Sequence, residues 1–280
     1  MAFDIFEDED FITAERVQAL CDGQDVIFCS VGNLDTVFQR VLKECVVVCT
    51  GTDGCILPTG VIKKHVNAMA NMSFQLDYHI DSDFKVPACV KGIFSANVDV
   101  RHEKIFPMPR GLENFSQLTY MKKKEGLLKA IELNPSKEKL LYMNHNVNTN
   151  KADRERPYQL FRTNDWCTVE SGENGSGFDK YLHQLNTHKF VISPDGNSLE
   201  GHRTWEALYV GTIPIVQRHV FTEDFSQNIP MLIIDSWEEV TEEFLNNKYE
   251  EIMSNKANWN FDLIRIGYWK KKIENVLYGY

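Results

Sequence analysis

The sequence lacks several features that would place it in a particular class of protein. It has no apolar run long enough to span a bilayer, and it opens with the acidic MAFDIFEDED rather than an apolar signal-type run. It has no internal repeat and no low-complexity linker. Acidic residues outnumber basic ones by 40 to 30, and this net charge of −10 argues against a nucleic-acid or anionic-membrane surface. We therefore expect a cytoplasmic protein in which any phosphate site is local.

Patterns typical of disulfides and metal sites are also missing. The seven cysteines are odd in number and have no C-x-x-C spacing, and the eight histidines have no H-x₃-H spacing. Several cysteines lie in apolar runs, such as Cys45 and Cys49 in CVVVCTG. Reduced thiols in the core are therefore predicted. We expect neither a metal nor another cofactor.

Apolar runs alternating with helical spacing divide the chain into two α/β halves. In the first half, strands are predicted at 25–30, 45–50, 73–78 and 91–96, and helices at 36–43, 61–72 and 116–134. In the second half, strands are predicted at 140–144, 166–169, 190–193, 213–216 and 232–235, with helices between them. This alternation predicts parallel, doubly wound sheets. We expect domains at 1–136 and 137–258, with 259–280 packing back toward the first.

The most informative segment is KFVISPDGNSLEGHRTWEALYVGTIPIV, residues 189–216. Its buried strand is followed by a turn and by a helix predicted to open near Asn197, where Glu200 three residues on completes a capping-box pattern. Gly211 marks the predicted end of the helix. The free N–H groups at such a helix start form a ready anion site.

Arg203 and Glu206 lie three residues apart and so share one face of this helix. An arginine fork suits phosphate oxygens, and a carboxylate suits a ribose diol. The pair therefore predicts a nucleoside-diphosphate clamp that needs no Walker lysine. The alternative is an ordinary strand–turn–helix unit with a surface ion pair of little energetic value.

The fragments SPDGN, HRTWEAL and GTIPIV resemble the donor-binding segment of exostosin-like glycosyltransferases, whose familiar form is SPxGxG-x-x-x-HRTWEAL-x-x-GCIPIV. Ser198 and Thr212 depart from that form. LLYMNHNVNTNKADRER, at 140–156, resembles the family as well, and 97–114 does so faintly. The resemblance implies a GT-B fold, two Rossmann-like domains facing across a cleft. The resemblance also implies which residues bind the donor: Asn144, Arg156, Ser193, Pro194, Gly196, Asn197, His202, Arg203 and Glu206.

The resemblance implies an inverting glycosyltransferase that moves a sugar from a UDP-sugar donor to a hydroxyl of a glycan acceptor. Most relatives carry a membrane anchor, which is not found here. The chain is most similar to the exostosin-related xylosyltransferases of large DNA viruses of algae, which would imply UDP-xylose as donor, fucose of a capsid glycan as acceptor and the host cytoplasm as location. Arg156 has an alternative interpretation as an exposed helix residue.

A catalytic base is expected from the first domain, and three residues are candidates. Asp53 lies in GTDG directly after a predicted strand, and Asp77 and His79 lie in LDYHIDSDF. Asp53 could equally be a plain turn residue. Arg110, in PRGLEN, resembles the family's Pro-x-Gly turn and is expected to shape the acceptor side.

Other functions stay open on the sequence alone. Asp81 and Asp83 form a D-x-D pair, which in GT-A glycosyltransferases holds a divalent metal that bridges the diphosphate. The glycine-rich SGENGSG, at 171–177, could cradle phosphate through backbone N–H groups or be a flexible cleft loop. A nucleotide-sugar or glycan-binding protein without turnover, or a diphosphate-sugar hydrolase, would also fit.

Overall fold

A computed structural model describes residues 4–21, 25–61, 77–114, 118–170 and 177–279, and the side chains of these residues except 118–122. The strands are β1 (Val26–Phe28), β2 (Cys45–Cys49), β3 (Ile56–Pro58), β4 (Tyr78–Ile80), β5 (Val90–Ser95), β6 (Ile105–Pro107), β7 (Lys139–Met143), β8 (Cys167–Val169), β9 (His188–Ile192), β10 (Ile213–Gln217) and β11 (Leu232–Ile234). The α-helices are α1 (Ala14–Leu20), α2 (Leu34–Arg40), α3 (Leu118–Leu133), α4 (Lys151–Phe161), α5 (Phe178–Thr187), α6 (His202–Tyr209), α7 (Val220–Ser226), α8 (Glu242–Ser254) and α9 (Ile266–Tyr278).

The fold is mixed α/β, with parallel sheets flanked by helices, and is compatible with a Rossmann-like architecture. The second half forms a five-stranded sheet in the order β11-β10-β9-β7-β8, and every pairing in it is parallel. The chain lays down β7 and β8 in one direction and then builds β9, β10 and β11 on the other side of β7. This reversal is the mark of a doubly wound sheet, as the sequence predicts for this half.

The first half forms a four-stranded parallel sheet in the order β1-β2-β5-β6, beside a small parallel pair of β3 and β4. Its described strands follow chain order from one edge of the sheet to the other. The reversal of order that defines a doubly wound sheet, which the sequence predicts for this half as well, is therefore not seen among them. The predicted helix at 61–72 and most of the predicted strand at 73–78 lie outside the described residues.

Strand β2 shows why the first sheet is buried on both faces. Its five residues, CVVVC, are all buried, and their side chains alternate between the two sides of the sheet. Val46 and Val48 pack into the core cluster that includes much of the second half, whereas Cys45, Val47 and Cys49 pack under α2 with a separate cluster. A continuous apolar run of this kind is typical of a parallel strand covered on both faces.

Packing across the chain joins the two halves. Helix α9 lies against β2 and β5 of the first sheet, and α3 packs against α5. The predicted division at residues 136 and 137 falls between α3 and β7. Near the N-terminus, the Ile12 amide donates to the Tyr209 hydroxyl, which donates in turn to the Ile264 carbonyl oxygen. Among the described residues, no helix has both the length and the apolar character needed to cross a membrane.

The helix predicted to open near Asn197 begins instead at His202, with Gly201 at its N-cap and no side-chain cap. Glu200 does not fold back on the helix because its carboxylate is drawn into the first half. It accepts hydrogen bonds from the backbone amides of Asn97 (2.7 Å) and Arg110 (2.8 Å). The expected capping box is therefore wrong, although Gly211 does end the helix with a positive φ of 76°.

A buried lysine fixes the start of the second half. Lys137 is only 8% exposed, and its ammonium group donates to the carbonyl oxygens of Asn186 (2.6 Å) and Val210 (2.7 Å) and to Thr212 Oγ1 (3.0 Å). These acceptors lie just after or at the ends of α5 and α6, where cations are favoured by the helix dipole. The single side chain therefore ties the entry to β7 to two helix ends.

Replacing Lys137 with methionine should lower the free energy of unfolding by about 3 kcal/mol, because it leaves several buried oxygens without a donor. Burial lowers the pKa of Lys137 to about 7. A lowered pKa makes the unfolding free energy rise with pH above about 7, so urea unfolding should be measured near pH 9, where the contribution of Lys137 is larger than near pH 6. Lys139→Met is the matched control, since the exposed Lys139 ammonium donates to the Gln184 side chain at 3.3 Å, and it should change stability by less than about 0.5 kcal/mol. Equal effects of the two substitutions would contradict this role.

Candidate functional site

The candidate site lies where the order of the second sheet reverses, between β7 and β9. In open α/β sheets, ligands bind outside the carboxyl ends of the strands at such a switch point. Asn144 and His145 directly follow β7, and Ser193 and Pro194 directly follow β9. Arg203 lies in the first turn of α6. The topology thus brings predicted donor residues from two separate segments to one edge of the sheet.

Two arginines form the centre of this site. Arg203 Nη2 approaches the Asn144 carbonyl oxygen at 3.5 Å. Arg154, from the first turn of α4, donates from Nε to the Asp195 carbonyl oxygen (2.8 Å) and from Nη1 to that of Asn146 (3.1 Å). Among the described residues, both guanidinium groups hydrogen-bond to backbone carbonyl oxygens rather than to carboxylates. We call Arg154, Arg203, Asn144 and His145 the arginine cluster.

The electrostatics of the arginine cluster are those of a desolvated cationic site. Burial, with the nearby positive charge of Arg203, lowers the pKa of Arg154 to about 10. Burial and the charges of Arg203 and Arg154 likewise lower the pKa of His145 to about 3, so this imidazole is neutral at physiological pH. Two positive charges held close together and away from water favour an anionic ligand.

Several buried polar atoms at this edge have no hydrogen-bond partner within the described part of the chain. They are Arg203 Nε, Asn144 Oδ1, His145 Nδ1 and Gln217 Oε1. Buried polar groups in native proteins are almost always hydrogen-bonded, and exceptions call for an explanation. A polar ligand lying across the ends of β7, β9 and β10 would supply these missing partners.

Glu206 and Arg203 meet at one aromatic side chain. The Tyr181 hydroxyl, from α5, donates to Glu206 Oε2 at 2.6 Å, and the Arg203 guanidinium carbon lies 6.0 Å from the Tyr181 ring centroid. Burial first, and then the Glu206 charge, raise the pKa of Tyr181 well above its ordinary value, so its hydroxyl stays protonated as a donor. The two residues predicted to share a helix face are therefore held on the same side of α6.

The segment after β9 fits closely around Arg154. The Gly196 amide donates to the Ser198 carbonyl oxygen at 2.9 Å, and the Asn150 side chain donates to the Gly196 carbonyl oxygen at 3.0 Å. A Cβ atom at Gly196 would lie 2.7 Å from Arg154 Nη2, so a larger residue there would displace the Arg154 guanidinium group. Ser193 Oγ lies 2.8 Å from Thr204 Oγ1, and Pro194 is buried beside it. Asn197 lies within this segment, ahead of α6.

Arg156 does not join the arginine cluster. Its side chain is 57% exposed and pairs with Glu238 on the surface. Arg154 takes the position expected for the second phosphate contact. The helical period could have identified it, because Arg154 is three residues before Pro157 and seven before Phe161, both buried on the inner face of α4. Around the helix axis, Arg156 lies about 200° from Arg154.

Three residues predicted for different roles form a second cluster where the two halves meet. Arg110 Nη1 donates to Asp53 Oδ1 (2.5 Å) and to Ser198 Oγ (2.9 Å), so it joins the first half to the segment after β9. His202 Nδ1 lies 2.8 Å from the Gly111 carbonyl oxygen, and Arg110 Nε lies 3.3 Å from His202 Nε2. Asp53, Arg110 and His202, assigned different roles from the sequence, therefore lie together. We call this set, with Ser198, the junction cluster.

The other candidates from the first half contact different groups. Asp77 Oδ1 accepts a hydrogen bond from the Cys55 amide at 3.0 Å, and His79 is exposed on β4, with Nδ1 3.4 Å from the Pro58 carbonyl oxygen. Asp81 and Asp83 are exposed in a turn in which Asp81 Oδ1 accepts from the Asp83 amide. No group of three or more His, Cys, Asp or Glu side chains is placed to hold a metal in the described ranges. Residues 171–176 of SGENGSG lie outside those ranges.

A charged histidine also joins the halves, and no local sequence pattern points to it. His219 Nε2 lies 2.9 Å from Asp195 Oδ2, and Nδ1 lies 3.5 Å from Asp99 Oδ2. Asp99 additionally accepts from the Val220 amide at 2.8 Å. Burial by itself would lower the pKa of His219, but the Asp195 and Asp99 carboxylates outweigh it and raise the pKa to about 10.

Two pockets of appreciable size are lined by other residues. One, of about 550 Å³, lies between β1 and α2, and the other, of about 400 Å³, lies between β6, α7 and α9. Neither is lined by a residue of the arginine cluster or the junction cluster. We nonetheless place the candidate site at the switch point, because buried polar atoms without a partner in the described part of the chain gather there. In comparisons with known proteins, no family model and no curated protein matches the chain.

Replacing His219 with glutamine should destabilise the protein most at acidic to neutral pH. The pKa of His219 is raised on folding, so the stabilisation is fully present below the unfolded value of about 6.5 and is lost as the pH rises toward 10. The difference in unfolding free energy between the native protein and His219→Gln should therefore shrink between about pH 6 and pH 9.5. A difference that is constant with pH, measured by urea unfolding, would contradict this assignment.

Proposed function

We propose that this chain is a nucleotide-sugar-dependent glycosyltransferase of the exostosin-like type. The observation that carries the proposal is the desolvated pair Arg154 and Arg203 at the β7–β9 switch point. The diphosphate of the donor binds there, bridging the two guanidinium groups and the first turn of α6. The resemblance of the HRTWEAL segment to exostosin-like enzymes supports the same assignment.

The donor's ribose binds beside the diphosphate. Glu206 lies three residues after Arg203, and its carboxylate is held by the Tyr181 hydroxyl at 2.6 Å. One carboxylate oxygen is thus oriented by Tyr181, and the other is available to a ribose diol. Asn144 and His145 supply neutral polar atoms at the end of β7, including two buried atoms that lack a partner among the described residues. A neutral imidazole can bind a sugar or phosphate oxygen without adding charge.

The reaction moves the sugar from the diphosphate to an acceptor hydroxyl with inversion. The barrier reflects negative charge that develops on the departing diphosphate. Arg154 and Arg203 stabilise this charge, and each charge-assisted hydrogen bond contributes roughly 1.5–3 kcal/mol. The resemblance points to UDP-xylose as donor and to fucose of a viral capsid glycan as acceptor, with no metal required.

The two halves correspond in this proposal to the acceptor and donor domains of a GT-B enzyme. Asp53 is the strongest of the three candidates for the base, because its contacts lie at the junction with the second half, whereas Asp77 binds a backbone amide and His79 is exposed on β4. Arg110 orients the Asp53 carboxylate through Oδ1, at the junction with the second half. A positioned base of this kind contributes about 10²–10⁴ in rate.

Replacing Arg203 with alanine should abolish measurable UDP binding and sugar transfer, because it removes one of the two cations at the switch point. Arg154→Ala should weaken UDP binding at least tenfold. Arg156→Ala is the matched control, a surface arginine of the same helix as Arg154, and should bind UDP like the native protein. Calorimetry with UDP, GDP and UDP-sugars, with and without EDTA, measures these effects.

Each outcome of that titration has a distinct meaning. If Arg156→Ala weakened binding as much as Arg154→Ala, the arginine cluster would not be the donor site. Loss of binding with EDTA would move the site to Asp81 and Asp83. Donor binding without transfer to any glycan would favour a binding protein, and release of free sugar without dependence on an acceptor would favour a hydrolase.

Replacing Asp53 with asparagine tests the base separately from donor binding. The rate of sugar transfer should fall by about 10²–10⁴ while the affinity for UDP stays within about twofold, because Asp53 contacts the acceptor rather than the diphosphate. Asp77→Asn and His79→Gln are the comparisons and should each retain most of the activity. A fall of similar size in either of these variants, with Asp53→Asn active, would assign the base to that residue.

A further inference from the structure

Two cysteines face each other at the carboxyl ends of neighbouring strands in the first sheet. Cys29 directly follows β1, and Cys49 is the last residue of β2. The two strands are parallel, with Phe28 opposite Val48, and the Cys29 amide donates to the Val48 carbonyl oxygen at 3.0 Å. This register places Cys29 beside Cys49, and their sulfur atoms lie 3.6 Å apart.

The backbone geometry at these two positions allows a covalent link. Neighbouring strands lie about 4.8 Å apart, and disulfides span Cα–Cα distances of roughly 4.4–6.8 Å. A disulfide needs the sulfur atoms to approach to about 2.05 Å, a movement that rotation of the two side chains can provide. Both cysteines are free thiols in the structure.

The two thiols are chemically unequal. The Cys49 thiol is buried, while Cys29 is partly exposed at the edge of the sheet. The hydrogen bond between them lowers the pKa of Cys29 and raises that of Cys49. Reactive cysteines are accessible and have a stabilised thiolate, whereas buried cysteines without such support are inert. Cys29 is therefore the attacking thiol, and Cys49 is the resolving one.

We propose that Cys29 and Cys49 form a peroxide-sensitive thiol pair that closes reversibly to a disulfide between β1 and β2. The Cys29 thiolate attacks one oxygen of hydrogen peroxide, which breaks the O–O bond, gives a sulfenic acid and releases hydroxide. The Cys49 sulfur then attacks the Cys29 sulfur and displaces its hydroxyl group, which leaves as water with the Cys49 proton. The two thiols lose two electrons, and peroxide gains them.

The disulfide would act on the loop that contains Asp53 of the junction cluster. Cys49 is followed after four residues by Asp53, which binds Arg110, which in turn binds Ser198 of the second half. A disulfide at Cys49 would fix the start of that loop and restrict the unfolded chain. The chemistry of the pair does not depend on the proposed transferase function and is tested without a substrate.

The test counts free thiols in the intact protein. After mild peroxide treatment, a thiol reagent applied under denaturing conditions should find five thiols in place of the original seven. Cys29→Ser should keep all six of its thiols, because no attacking thiolate is present. Cys49→Ser should lose one, with its Cys29 sulfenic acid trapped by dimedone. Cys167→Ser is the matched control and should fall from six to four, since Cys167 is buried and has no part in the pair.

Peptide mapping and thermal unfolding complete the experiment. Mass spectrometry of the oxidised native protein should join the peptides of Cys29 and Cys49, and the melting temperature should rise and return on adding dithiothreitol. Retention of seven thiols, an equal loss in Cys29→Ser, or a link that joins Cys45 to Cys89 instead would overturn the proposal. Because the readout uses the native protein, a poorly folded variant would not leave the proposal undecided.

Discussion

The buried carboxylate of Glu200 is the contact on which the arrangement of the two halves depends. It is only 3% exposed, and burial raises its pKa, an effect opposed by three donors: the amides of Asn97 and Arg110 and the Trp205 indole nitrogen. Hydrogen bonds to a charged group contribute roughly 1.5–3 kcal/mol each, so together they offset part of the cost of burying this charge. The Glu200 amide also donates to Asn97 Oδ1 at 3.0 Å, so the two residues bind each other reciprocally.

This contact determines where α6 begins and therefore where Arg203 lies. Because Glu200 is held by the first half, the chain between β9 and α6 stays non-helical through Gly201, and the first helical turn starts at His202. Arg203 is then next to the ends of β7 and β9, where Arg154 is also held. Had the helix begun at Asn197, Arg203 would lie in its second turn, farther from the free N–H groups at the helix start. The position of Arg203 in the arginine cluster and the junction between the halves thus share one structural cause.

The sequence predicts the strands well, because a parallel strand buried on both faces is a short apolar run and needs no partner to be recognised. Helical spacing alone also predicts that Arg203 and Glu206 share one face of α6, as they do in the structure. Prediction from the sequence fails where the outcome depends on contacts distant in the chain. The local sequence predicts that Glu200 caps the helix. That prediction is wrong because Glu200 binds Asn97, which lies 103 residues earlier and is not part of the local pattern. Arg156 is a different case, since the helical spacing of Pro157 and Phe161 already places Arg154, and not Arg156, on the buried face of α4.

The two departures from the exostosin-like pattern each place a hydroxyl beside a cation. Ser198 Oγ accepts from Arg110 and donates to the Glu200 carbonyl oxygen at 2.9 Å. Thr212 Oγ1 accepts from Lys137 and donates to the Leu185 carbonyl oxygen at 2.5 Å. A hydroxyl can accept and donate at once, so it binds the cation and a backbone oxygen together.

A small apolar residue at 198, or a thiol at 212, would leave the nearby cation with fewer or weaker acceptors in a buried setting. Such a loss costs more than an equivalent loss at the surface, because water does not replace the missing partner. The departures are therefore coupled to Arg110 and Lys137, and they alter residues that support the segment around α6 rather than the arginine cluster itself. The resemblance to the exostosin-like pattern at Arg203, Glu206 and the first turn of α6 can therefore persist although the residues that support these groups differ from that pattern.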